Sequence, residues 1–241
     1  MFYFDPFYML VTLAALVMSL WATAKVKWAF AKYSKIPASS GLSGAEVATL
    51  ILERQGITNV SVSPTRGMNF LGMRGDGILD DHYDPMKKAV HLSPAVYQGT
   101  SQAAVAIAAH EVGHAIQHAR AYGLFQLRSV IAPAAMFGSN AAYFFLMLGF
   151  LFHTFSWIKI GILLFAVAVV FQLITVPVEW NASQRAKRLL REYGVVQGAD
   201  SAGVAKVLNA AALTYVAAAA AALLQLLYFL FRSGLFGNRR S

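Results

Sequence analysis

The chain has 241 residues, of which 58% are hydrophobic and only 13% are charged, and its mean hydropathy is +0.54. This composition argues against a water-soluble globular protein and is typical of an integral membrane protein. The chain has no cysteine, so disulfides and thiolate metal sites are excluded. Any transition metal must therefore be held by histidine and carboxylate side chains.

Four uncharged runs are long enough to cross a bilayer as helices: residues 6–24, 129–158, 160–178 and 207–231. Only Lys159 separates the second run from the third, which predicts a tight hairpin around residues 153–159. No positive charge precedes the first run, so a retained anchor is favoured over a cleaved signal peptide.

The basic residues are distributed unevenly between the segments that join these spans. Sixteen of the twenty lysines and arginines lie in residues 25–128 and 179–206. Because cytoplasmic segments of membrane proteins are enriched in positive charge, we expect both segments on the cytoplasmic side of the cell membrane and both termini outside. The net charge of +9 therefore reflects basic residues placed beside membrane spans, so we expect a lipid bilayer as the partner and no nucleic acid.

The polar segment before the second span reads as a small α+β unit. Ser43 and Glu46 form a capping box that begins a short helix, which Gly56 ends. The stretches "VSVS" at 60–63 and "KAVHLS" at 88–93 are typical of strands, and the glycine-rich residues between them are predicted as loops. Thr100 or Ser101 then caps a helix expected to run to Tyr122 and to end at Gly123.

That helix contains "AIAAHEVGHAIQHA", residues 106–119. His110 and His114 are four residues apart and share one helix face, so both imidazoles can reach one ion. Glu111 is positioned to take a proton from a zinc-activated water, as in zincin metalloproteases. The alternative is an alanine-rich surface helix that happens to carry these polar residues. Gly113 would let another backbone approach the same face closely.

A catalytic zinc needs a third protein ligand and one open position. His118 lies a further turn along, about 12 Å from His110 by the helical rise, so we do not expect it on the same ion. Glu179 directly follows the third span, and the double crossing returns it to the side that carries His110. Alternatively, Glu179 is an interfacial carboxylate paired with Arg185 or Lys187.

Pro177 is expected to begin a new helical segment at this point. On that segment Ser183 lies one turn after Glu179 and faces the same way, so its hydroxyl could bond a metal ligand from outside the coordination sphere.

These motifs resemble a known family. H110-E-V-G-H114 followed by E179-W-N-A-S183 is similar to the pattern of the gluzincin membrane proteases HtpX and the CAAX prenyl proteases. The blocks "GILDDHYDP", "HLSPAVYQGTSQAAVAIAAHEVGHAIQHA", "VPVEWNASQRA" and "VLNAAALTYVAAA" more closely resemble the YugP-type bacterial membrane zinc metallopeptidases. This resemblance implies that His110, His114 and Glu179 are zinc ligands and that Glu111 is the general base. Ser183 stands where the HtpX group has aspartate.

The expected fold is therefore a mostly α integral membrane protein with four transmembrane helices and a small α+β, zincin-like cytoplasmic domain. We expect five parts: a first transmembrane helix at 1–30, the zincin-like domain with the HExxH helix at 31–128, a transmembrane hairpin at 129–178, a helix carrying the third metal ligand at 179–206, and a fourth transmembrane helix with a tail at 207–241.

The oxyanion formed during peptide hydrolysis needs a donor besides zinc. His91, Arg185 and Tyr215 are candidates that the sequence does not rank. His91 lies in the strand 88–93, whose edge could pair with an extended substrate. The nearby "DDHYDP" at 80–85 could hold a second metal, although a tight turn with aspartate caps explains the same residues.

The predicted function is that of a membrane-embedded zinc metalloendopeptidase, which hydrolyses peptide bonds of peptides or membrane proteins near the cytoplasmic surface through a zinc-bound water. The alternative is a non-hydrolytic membrane scaffold or partner-binding subunit with a structural zinc, which would have a fourth protein ligand. A divalent-metal transporter is disfavoured because the four apolar runs contain no Asp, Glu, Lys or Arg.

Overall fold

A computed structural model describes residues 5–65, 69–70, 73–74 and 80–234 of the protein. The described part is mostly helical. Its helices are α1 (Pro6–Tyr33), α2 (Gly44–Arg54), α3 (Pro94–Tyr97), α4 (Gln102–Ala119), α5 (Gly123–Leu151), α6 (Phe155–Glu192) and α7 (Ala199–Arg232). Its strands are β1 (Ser61–Pro64), β2 (Asn69–Phe70), β3 (Met73–Arg74), β4 (His82–Asp84) and β5 (Ala89–Leu92).

Within the described residues, α1, α5, α6 and α7 are each long and apolar enough to cross a membrane. The prediction of four such helices is confirmed. The turn between α5 and α6 is shorter than expected, since α6 already begins at Phe155. His153 has a φ of +54° in this turn and reverses the chain there.

The chain divides into two compact units. The first, the membrane unit, comprises Met1–Thr23, Gln126–Pro177 and Leu213–Ser241. Its α5 and α6 form a hairpin in which backbones approach closely: a Cβ added at Gly161 would lie 2.9 Å from the backbone nitrogen of Leu146. Small residues at such crossings are typical of helices that associate in lipid.

The second unit, called the metal-centre unit after the metal ligands predicted within it, comprises Ala24–Phe125 and Val178–Ala212. Its three-stranded sheet has the order β1-β5-β4, in which β5 pairs in parallel with β1 and antiparallel with β4. The buried helix α4 packs against α2 and against β4 and β5. The predicted capping box of α2 is confirmed, because the side chain of Ser43 accepts from the Glu46 backbone and Glu46 reaches back to the Ser43 backbone.

Several predicted boundaries are wrong. The helix α4 ends at Ala119, because Ala121 adopts a φ of +49° and turns the chain, and Gly123 begins α5 instead of ending α4. The stretch predicted as loops contains the strands β2, β3 and β4, which are too short to show a sequence period. The glycines of this stretch, at positions 67, 72, 75 and 77, lie outside the described residues.

Pro177 does not begin a new helix, since α6 continues through it from Phe155 to Glu192. In lipid a broken helix would leave backbone groups without partners. Losing the one hydrogen bond that proline cannot donate therefore costs less than ending the helix. Glu179 and Ser183 consequently lie on the same continuous helix as the third span.

The helices α4 and α6 approach each other closely at Gly113. A Cβ added at this glycine would lie 2.8 Å from the carbonyl oxygen of Ala182 and 3.1 Å from its Cα. Ala182 is completely buried at this contact. The two backbones therefore approach as closely as the missing side chain of Gly113 allows.

We predict that Gly113→Ala destabilises the metal-centre unit. The added methyl group must push backbone atoms apart, which costs about 1–3 kcal/mol, whereas the better helix propensity of alanine returns only about 1 kcal/mol. The midpoint of thermal unfolding in detergent should fall, by roughly 2–4 °C for each kcal/mol of net loss.

The matched control is Gly123→Ala, because a Cβ at Gly123 meets nothing within 4 Å. This variant should keep the unfolding midpoint of the unmodified protein. A Gly113→Ala protein as stable as the Gly123→Ala protein would contradict the close approach of the two helices.

Candidate metal centre

The helix α4 carries both histidines of the motif in the protein interior. Its N-terminus is capped by Ser101, whose Oγ accepts a hydrogen bond of 3.2 Å from the backbone of Ala104. Nearly every residue from Gln102 to Gln117 is buried. The rings of His110 and His114 lie on one face with their centroids 4.8 Å apart and their planes at 85°. The alternative of a solvent-exposed, alanine-rich helix is therefore wrong.

Glu179 on α6 lies against both rings. Its Oε2 is 3.1 Å from Nε2 of His110 and 3.4 Å from Nε2 of His114. The carboxylate is only 2% exposed. The potential ligand atoms of these three residues all lie within 4.8 Å of one another. Among the residues that the structure describes, they form the one group of three or more histidine and carboxylate side chains that could hold a metal ion.

The second nitrogen of each imidazole also has a partner. Nδ1 of His110 lies 3.2 Å from Oγ of Ser183, and Nδ1 of His114 lies 2.9 Å from Oε1 of Gln117. Both Nε2 atoms consequently point towards Glu179. Two imidazole nitrogens and one carboxylate oxygen, with the remote nitrogens hydrogen-bonded, are a donor set that zinc accepts in sites with one open position. The residues present therefore fit a zinc ion.

Glu111 follows the first of these histidines and is 9% exposed. The pKa of its carboxyl group is raised to about 8, mainly by burial; the neighbouring His110 opposes this rise, and the charges of Glu179 and Asp81 contribute to it. A carboxyl group with a pKa in this range can accept and return a proton near neutral pH. Such a shift is typical of a catalytic acid–base residue.

His118 lies apart from this group, as its position along the helix predicts. Its Nδ1 is 2.9 Å from the hydroxyl of Tyr83 on β4, and its ring packs against Phe125. Arg185 donates from Nε to Oδ1 of Asn181 at 2.7 Å. Tyr215 lies on α7 in the membrane unit and so does not belong to the unit that contains the metal centre.

His91 lies on β5 and its Nδ1 is 2.9 Å from Oγ of Ser63 on β1. Because β5 is the central strand, both of its edges are already paired. The expectation that this strand offers an edge to a substrate is therefore wrong. The edge strand next to α4 is β4.

The "DDHYDP" stretch, residues 80–85, contains the strand β4, and a turn capped by Asp84 follows this strand. Asp81 accepts hydrogen bonds from the backbone and the hydroxyl of Ser93, at 2.7 and 3.3 Å. Asp84 accepts from the backbone nitrogens of Met86 and Lys87. These bonds favour the turn interpretation over a second metal.

Gln117 is the residue of this site that the sequence did not reveal. It is completely buried and bonds both to His114 and to α6. The sequence signal that could have identified Gln117 is its position three residues after His114, which makes the two side chains neighbours on one helix face.

Comparison with known proteins gives one family. A family model described as "Putative neutral zinc metallopeptidase" matches residues 8–234, a range that includes the three metal-binding candidates. The chain is 48% identical over 222 residues to the "Putative membrane protease YugP" of Bacillus subtilis (strain 168). The alignment covers 92% of this chain and 94% of that protein. No solved structure matches the chain.

The buried carboxyl group of Asp81 predicts a specific pH dependence. Burial raises its pKa from 3.8 to about 6, so the folded protein binds a proton more tightly than the unfolded chain. The free energy of unfolding therefore does not depend on this group below about pH 4. It falls as the pH rises from about 4 through 6, because the folded protein must then lose a proton that it binds more tightly. Asp81→Asn should remove this penalty, which is on the order of 2 kcal/mol for a partly buried group.

The measurement is the thermal unfolding midpoint of both proteins between pH 4 and 8. The Asp81→Asn protein should unfold at a higher temperature above pH 6, and the difference should vanish near pH 4. A constant difference across this range would show that Asp81 is not the titrating group.

Proposed function

We propose, because this chain belongs to the neutral zinc metallopeptidase family, that it hydrolyses peptide bonds as a membrane-embedded zinc metalloendopeptidase. The observation that carries the proposal is the convergence of His110, His114 and Glu179, whose ligand atoms come from two helices and lie within 4.8 Å of one another. Glu111 stands beside them with a raised pKa.

Each residue of the site has a distinct task in this proposal. Zinc, when bound to the three ligands, supplies Lewis acidity that polarises a carbonyl group and makes water more acidic. Glu111 accepts the proton of the attacking water and later delivers it to the nitrogen of the leaving amine. Ser183 and Gln117 hold the two imidazoles, so that their Nε2 atoms stay directed into the site.

The number of protein ligands supports an enzyme over a scaffold. Structural zinc sites are usually closed by four protein donors, whereas catalytic sites keep one position for water or substrate. Within residues 5–65 and 80–234, the group that could hold the metal has three members. The raised pKa of the buried Glu111 carboxyl group beside these ligands suits a residue that transfers protons during hydrolysis.

The sheet supports a peptide as the substrate. The strand β4 pairs with β5 on one side and packs against α4. An extended peptide can add to an edge strand through main-chain hydrogen bonds, which would bring it alongside Glu111. A small sheet beside an HExxH helix is the arrangement that a zincin-like domain requires.

The charge distribution supports a cytoplasmic site. Fifteen of the twenty basic residues lie in the two segments that build the metal-centre unit, and this bias favours the cytoplasmic side for the unit, with both termini outside. Candidate substrates are accordingly membrane proteins, their cytosolic tails and amphipathic peptides close to the inner face of the cell membrane.

We predict that Glu111→Gln abolishes hydrolysis and retains the metal. The amide keeps the size of the side chain but cannot accept a proton, so kcat/KM should fall at least about 100-fold. The assay uses the full chain in detergent with fluorescent casein as substrate, and elemental analysis gives the zinc content.

The matched control is Glu53→Gln, which changes an exposed glutamate on α2 and should leave both activity and zinc content unchanged. Hydrolysis by the Glu111→Gln protein at the rate of the Glu53→Gln protein would refute the proposed role of Glu111.

A further inference from the structure

We infer that Gln117 is the positioning residue of the metal centre, because it sets the orientation of His114 relative to the helix that carries Glu179. This inference rests on the proposed function, since it concerns the same zinc site. It adds a residue that neither the sequence motif nor the family description identifies.

The side chain of Gln117 bonds in three directions. Its Oε1 lies 2.9 Å from Nδ1 of His114. Its Nε2 donates to the carbonyl oxygen of Val178 at 2.8 Å and to Oδ1 of Asn181 at 3.0 Å. The residue is 0% exposed, so water cannot replace any of these partners. A buried polar side chain with every partner supplied by the protein has a single orientation.

This orientation fixes where the His114 ring carries its proton. The amide nitrogen of Gln117 faces two oxygen acceptors, so the amide oxygen must face the ring. An amide oxygen only accepts, and Nδ1 of His114 must therefore carry the hydrogen of this bond. The lone pair of the neutral ring is then at Nε2, the nitrogen that points towards Glu179. The ring is ready to bind a metal without changing its tautomer.

The two histidines differ in this respect. His110 is bonded through Nδ1 to the hydroxyl of Ser183. A hydroxyl group can donate or accept, so Ser183 holds the ring but does not select its tautomer. Gln117 therefore selects the tautomer of His114, whereas Ser183 does not select the tautomer of His110.

Gln117 also relates the two ligand-bearing helices to each other. Its acceptor Val178 immediately precedes Glu179, and its second acceptor Asn181 lies two residues after this ligand. One side chain on α4 thus bonds a ligand of its own helix and the α6 backbone next to the ligand of the other helix. Removing the side chain of Gln117 should make the distance between His114 and Glu179 more variable.

The same helix offers a matched control. Gln102 is also a buried glutamine of α4, with 4% exposure, and its Nε2 donates to Oδ1 of Asp200 at 2.7 Å. Its bond joins α4 to α7 and not to a metal ligand. Loss of the Gln102 bond should reduce stability in the same way as loss of any buried hydrogen bond.

The test measures zinc affinity by competition with a chelator on the full chain in detergent, for the unmodified protein, Gln117→Asn, Gln117→Met and Gln102→Asn. Asparagine keeps a buried amide but is too short to reach His114. Both Gln117 variants should bind zinc about 10 to 100 times more weakly, which is the loss typical of removing a partner of a metal ligand. Gln102→Asn should bind zinc like the unmodified protein.

The visible absorption of bound Co²⁺ gives a second readout, because its bands report coordination geometry. The bands should change in the Gln117 variants and not in Gln102→Asn. A folded Gln117 variant with unchanged zinc affinity and an unchanged Co²⁺ spectrum would overturn this inference and leave the proposed function intact. So would unfolding of both Gln117 variants when Gln102→Asn folds, since that is the behaviour of a purely structural residue. If the unmodified protein binds no zinc, the proposed function fails as well.

Discussion

The close approach of α4 and α6 is the constraint on which the site depends. Gly113 has no side chain, and Ala182 faces it with its backbone, so the two helices meet at a distance that larger residues would not permit. The neighbours of Ala182 on α6 then reach the metal face from close range. Glu179 faces both Nε2 atoms, and Ser183 faces the remote nitrogen of His110. Moving the helices apart would break all of these contacts together.

The same contact explains how a polar site can exist inside an apolar unit. Burying two imidazoles and a carboxylate costs free energy unless each has a partner. The surrounding core of α2, α4 and the sheet offsets that cost through apolar burial, and the side chains of Ser183 and Gln117 satisfy the remote nitrogens. A divalent cation would satisfy the remaining ligand atoms at once, so metal binding would stabilise the folded unit.

Part of the structure followed directly from the sequence. The four long apolar runs, the Ser43 capping box and the spacing of His110 and His114 each depend on local sequence, and the structure has all three features. The resemblance to the YugP-type family is confirmed by the match over most of the chain.

The remaining features depend on tertiary contacts that a local pattern does not record. The strand β4 is three residues long, and its position at the sheet edge arises from pairing with β5. The helix α6 continues through Pro177 because a helix that is interrupted in lipid leaves backbone groups without hydrogen-bond partners. The bond from Gln117 to α6 depends on Val178, which lies 61 positions further along the chain, so no local pattern records it.

The central claim is that one zinc ion is held by two imidazoles and one carboxylate from α4 and α6, with a further position open. X-ray absorption at the zinc edge of the purified, zinc-loaded chain measures this coordination directly. The account predicts outer-sphere scattering from two imidazole rings, with the remaining ligands being oxygen atoms at about 2.0–2.2 Å. A spectrum that requires three or more imidazoles, or only one, would contradict it.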